Sequence, residues 1–99
     1  MQAIYNETII ADSIDVVLLE GHRYFPIDSV RQEYLVPSIT HSICPWKGRA
    51  SYYTLSVNGS IALNAAWYYR DPTSAASSIK GRIAFGDDVT ILPSTNQKQ

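Results

Sequence analysis

A single cysteine, Cys44, leaves the chain no partner for an internal disulfide and falls short of the full tetrahedral ligand set that a structural zinc site takes. Positive charge is also scarce. Eight Lys and Arg against nine Asp and Glu give a net charge of -1, which argues against a phosphate-backbone binder and so against a nucleic-acid partner. No stretch approaches the roughly eighteen consecutive apolar residues that cross a bilayer, and Met1 to Ser13 lacks both a basic start and a long apolar run. The expectation is a cytoplasmic, soluble chain with no membrane partner. With 99 residues and neither repeats nor a Gly/Pro-rich linker, one hydrophobic core is all it can build. That places a single β domain at residues 1–93 and a polar tail at 94–99.

Aromatic residues are plentiful: seven tyrosines and two tryptophans stand beside only two phenylalanines and one methionine. Most of the chain reads as strands. Ala3 to Tyr5 and Thr8 to Ala11 flank Asn6-Glu7 as a tight hairpin, and the apolar run Val16 to Leu19 has the composition of a buried strand. A second hairpin runs from Ser51 to Val57, turns at Asn58-Gly59, whose residue types suit a type I′ turn, and returns from Ser60 to Tyr69. Arg82 to Phe85 and Val89 to Leu92 read as a third around Gly86-Asp87-Asp88. Two short helices are expected, one beginning at Asp28 or Ser29 and limited by Pro37, the other over Thr73 to Lys80, capped by Thr73 or Ser74 and ended by Gly81. The fold class is mostly β: antiparallel hairpins forming a β-tent or open barrel, with two short helices.

The ordered segments Glu20-Gly21-His22-Arg23-Tyr24-Phe25-Pro26, then His41, then Cys44-Pro45-Trp46-Lys47-Gly48-Arg49-Ala50-Ser51-Tyr52-Tyr53, then Ala65-Ala66-Trp67-Tyr68-Tyr69-Arg70-Asp71-Pro72 and Ile79 to Phe85 resemble the domain-of-unknown-function 427 family almost end to end. The resemblance implies a β-tent-like fold and carries a nucleotidyltransferase-like label. Glu7 departs from the glycine usual in the family's first turn, and Gly86 from the aromatic usual after Ala84-Phe85. The label finds little support in the residues. Metal-assisted nucleotidyl transfer wants acids one residue apart on a strand, whereas Asp87 and Asp88 are adjacent and read as a solvated turn.

The segment from His41 to Gly48 gathers the cysteine, a histidine, a tryptophan and a lysine, and reads as a loop entering the central hairpin. Cys44 is either a packed small hydrophobe or a nucleophile or redox centre activated by His41, Lys47 or Arg49, with His41 or His22 as acid and base. Glu20 and His22 can pair as acid and base across Gly21, or simply satisfy a turn. His22, His41 and Cys44 match a catalytic zinc site in number, but His-x-x-Cys is too weak a pattern to assign a metal, and no cofactor is required by the sequence. Trp46, Tyr53, Trp67 and Tyr69 can wall a pocket for an unknown small molecule or a partner side chain, with Lys47 and Arg82 at its mouth. An exposed sheet edge would support a homodimer. Two readings stay open: a binding module with an inert thiol, and a small-molecule enzyme that uses Cys44.

Overall fold

The computed structural model describes residues 1–94, so the polar tail read over 94–99 lies outside the described residues apart from Ser94. Two antiparallel sheets carry the chain. The smaller holds β1 (Gln2–Tyr5), β2 (Thr8–Asp12) and β9 (Thr90–Leu92) in the order β2-β1-β9. The larger runs β3-β4-β8-β7-β6-β5, built from β3 (Val17–Leu19), β4 (His22–Pro26), β5 (Leu35–Cys44), β6 (Gly48–Val57), β7 (Ser60–Tyr69) and β8 (Arg82–Phe85). Both sheets are open, and together they make one mostly β domain. Among the described residues no helix is long and apolar enough to cross a membrane.

Alternation along the strands sends side chains to two separate cores, one on each face of the large sheet, where the chain length had led to the expectation of a single one. One face of the large sheet buries Phe25, Leu55, Val57, Ala66, Ile83 and Phe85 against Ala3, Ile10 and Ala11 of the small sheet. On the opposite face Tyr24, Ala50, Tyr69 and Ala84 pack under Ala76 and Ile79, with Cys44, Tyr52 and Trp67 at the margin. Neighbours in sequence therefore part company: Tyr24 joins one core and Phe25 the other. The first hairpin forms where Asn6 and Glu7 both take positive φ, at 50° and 59°, and Asn6 is tied onward through its Nδ2 to the Val57 carbonyl at 3.0 Å.

Four further expectations need correction. The two helices are instead short 3-10 segments at Ile27–Ser29, Gln32–Tyr34 and Ser74–Ile79, the last broken by non-helical angles at Ala76. None has a side-chain cap; the Thr73 hydroxyl bonds the Trp46 carbonyl instead, at 2.5 Å. In place of the expected helix end and loop stands the ten-residue strand β5, because an edge strand tolerates Pro37 at a position where a central one would lose a ladder bond. Residues 45–47 are only the turn joining β5 to β6, with Cys44 opposite Gly48. The run Val17–Leu19 is an edge strand with Leu18 exposed, not a buried one. Finally, β8 and β9 do not pair: β8 lies between β4 and β7, while β9 leaves to pair with β1. The Gly86 amide bonds the Ala65 carbonyl at 2.8 Å, and Gly86 then accepts from Val89, which turns the chain toward the other sheet.

Candidate functional site

The turn 45–47 carries the candidate site, and its shape follows from Gly48. At φ +117° this residue occupies backbone space that L side chains rarely take, and a Cβ there would stand 3.3 Å from the Asp71 carbonyl. The close approach lets the segment after β7 clamp the turn. The Thr73 amide donates to the Lys47 carbonyl at 3.0 Å, beside the Thr73 hydroxyl bond to Trp46.

So held, Lys47 points inward, and it is only 7% exposed. Its Nζ donates to Glu20 Oε1 and lies 5.5 Å from the ring centres of both Trp46 and Tyr69. Such a cation is stable away from water because a carboxylate and two ring faces replace its hydration. The other Glu20 oxygen accepts from Trp46 Nε1 at 3.1 Å, so one carboxylate fixes two consecutive side chains of the turn. The Lys47 hydrogen bond, helped by that of Trp46 and the nearby Lys47 and His22 charges, holds the Glu20 carboxyl below its usual range against the opposing effect of burial. For Lys47, burial by itself would lower the pKa, but the Glu20 bond and the charges of Tyr24, Tyr69 and Glu20 outweigh it and leave it raised. Burial pushes the Tyr69 phenol up, with Lys47 pulling the other way.

Trp67 is fixed from the sheet side. Its Nε1 donates to the Tyr24 hydroxyl at 3.3 Å, His22 meets it edge-on at 4.9 Å between ring centres, and Tyr52 lies at 6.2 Å. Tyr52 in turn shares a 2.9 Å hydrogen bond with Ser42. Trp46, Lys47, Trp67, Tyr69, His22 and Cys44 therefore gather on one face of the large sheet. Cys44 is half-buried against this second core.

The remaining candidates lie elsewhere. Tyr53 is on the opposite face, stacked on Tyr68 with ring centres 5.3 Å apart, and burial followed by Tyr68 raises its pKa. Arg82 is engaged with Asp15, donating to its carbonyl at 2.8 Å and to its carboxylate. His41 sits opposite Ser51, with Nδ1 3.1 Å from the Ser51 hydroxyl. These two help line a separate cavity of about 310 Å³ with Arg49, Arg70 and Asp71. Among the described residues no hydrogen bond joins Cys44 to a histidine, and no three His, Cys, Asp or Glu side chains gather to hold a metal ion.

Glu20, Tyr24 and Tyr52 join the candidate site in the structure, although the sequence does not assign them to the aromatic wall. Tyr52 was within reach: counting back from the Asn58-Gly59 turn puts it on the parity of Trp67 and Tyr69, and the structure pairs Tyr52 with Trp67 directly. Glu20 gave no such signal, since it is 27 residues from Lys47. A family model described as a domain of unknown function (DUF427) matches residues 1–93. No curated protein matches the chain.

Proposed function

The chain belongs to this DUF427 family, and we propose that it is a binding module whose aromatic face, Trp46 and Trp67 with His22 and Tyr52, holds a flat small molecule or the side chain of a partner. The observation that carries this reading is that both indole N–H groups are already committed to protein acceptors, Glu20 and Tyr24. Each ring is thereby oriented in advance while Trp46 keeps 38% of its surface exposed, and stacking on pre-positioned aromatics costs little ordering entropy. Lys47 serves here as the strut beneath Trp46. In the alternative, Cys44 acts as a nucleophile or redox centre with a histidine as acid and base, but His22 is turned to Trp67 and His41 to Ser51.

The two tryptophans give two indole N–H signals in a 1H–15N spectrum, which makes the test direct. Titration with a library of aromatic fragments should move both signals for the same compounds. Trp67→Ala should abolish those effects on Trp46, whereas Cys44→Ser should leave them. If no fragment shifts either indole, or binding survives loss of both tryptophans, the reading fails. Loss of binding in Cys44→Ser would turn attention to the thiol.

A further inference from the structure

The cavity on the other face of the same strands has a chemistry of its own. His41 of β5, Arg49 and Ser51 of β6, and Arg70 and Asp71 just past β7 line it. Arg49 and Ser51 are two apart on one strand and so point the same way, and His41 stands directly across from Ser51. Arg70 directly follows Tyr69, the ladder partner of Ala50, and so lies at the same end of the sheet as Arg49, with which it lines the cavity. Two guanidinium groups lining one cavity repel each other, and an anion held between them relieves that repulsion. Among the described residues neither arginine has an ion pair or side-chain hydrogen bond, as is also true of Arg23 and Lys80, whereas Arg31, Lys47 and Arg82 each have an acidic partner. Asp71 supplies one negative charge against the two positive ones.

We propose that this cavity is an oxyanion site for a small organic phosphate monoester that carries hydroxyl groups. The two guanidiniums present forked donors matched to phosphate oxygens, and the Ser51 hydroxyl and the His41 ring add polar groups beside them. Asp71 repels a bare anion but accepts from a hydroxyl, which favours a hydroxylated ligand over inorganic phosphate. The volume suits a phosphate with a small attached skeleton and not a larger ligand. The site is independent of the aromatic face, since Ala50 and Tyr69, which belong to that face, alternate with its arginines.

Ribose 5-phosphate is a suitable probe, followed by calorimetry and by amide shifts at residues 41, 49, 51, 70 and 71. Saturable binding is expected, at least about tenfold tighter than that of inorganic phosphate or of ribose. Arg49→Gln and Arg70→Gln should each weaken it by about tenfold or more, the loss of one charged hydrogen bond, while Arg49→Lys falls between because it keeps the charge without the fork. Trp67→Ala, which tests the aromatic face, should leave it unchanged. Arg49 and Arg70 are both exposed, so melting temperatures should confirm that the variants fold. No saturable binding by the folded wild-type chain, binding indifferent to both arginine substitutions, or equal affinity for inorganic phosphate would overturn the proposal.

Discussion

Lys47 and Glu20 form an unequal pair, with the lysine side chain 9% exposed and the glutamate 49%. Removing one partner is therefore not equivalent to removing the other. Glu20→Gln strands a buried ammonium, whereas Lys47→Met fills the same space with apolar atoms and leaves a carboxylate that water can reach. Thermal melts at neutral pH should accordingly show the larger fall for Glu20→Gln. The same pair sets a pH dependence with a definite sign. Because the Glu20 pKa is lowered, its stabilisation is present above the ordinary carboxylate value and disappears as pH falls through the lowered one. Because that of Lys47 is raised, its share is present below the ordinary lysine value and disappears as pH rises through the raised one. Urea unfolding across pH should show both limbs in the wild type, with the acid limb flatter in Glu20→Gln. An unchanged acid limb would mean that the contact adds nothing in solution.

Among the elements, the two hairpin turns of β5–β6 and β6–β7 invite comparison. Gly59, at φ +86°, has open space where a Cβ would stand, so Gly59→Ala carries only the backbone cost of about 1 kcal/mol. Gly48→Ala adds to its positive-φ strain a tight contact with the Asp71 carbonyl and should cost about 2 kcal/mol or more, loosening Trp46 and Lys47 as it does so. Chemical denaturation of both variants tests this, and equal losses would show that the 71–73 clamp is unimportant. What the sequence disclosed tracks how local each signal is. The Asn58-Gly59 hairpin and the Asn6-Glu7 turn are written in adjacent residues and are found where they were read. Strand β5 was hidden because Pro37 and the uneven register between Pro37 and His41 interrupt its pattern. There Asn64, itself at φ +53°, reaches across β6 to bond Ser38 at 2.6 Å and Thr40 at 3.3 Å, a tertiary repair that no strand periodicity announces. The aromatic face was legible as a set of residue types, but its closing member, Glu20, arrives from β3–β4 and could only be found in three dimensions.

For the molecule as a whole, the 3-10 segment Ser74–Ile79 is the lid of the second core. It buries Ala76 and Ile79 completely, although its own backbone is irregular. Ile79→Ala should cost about 2–4 kcal/mol by opening a cavity beneath it, and hydrogen exchange should then quicken at Tyr24, Ala50 and Tyr69 more than at Phe25 or Leu55. Uniform loss of protection would show that the two cores unfold as one unit.

The pairing of β9 with β1, Gln2 opposite Leu92, bears on the order of folding. The β6–β7 hairpin closes a two-residue turn and can form early, whereas β1 acquires its second neighbour only after nearly the whole chain has been gathered. During synthesis the small sheet must wait as a lone two-stranded hairpin, with Ile91 missing from the margin of the first core, until residues 90–92 have left the ribosome. Refolding kinetics of Leu55→Ala and Ile91→Ala should separate the stages: the first change slows folding, and the second mainly speeds unfolding.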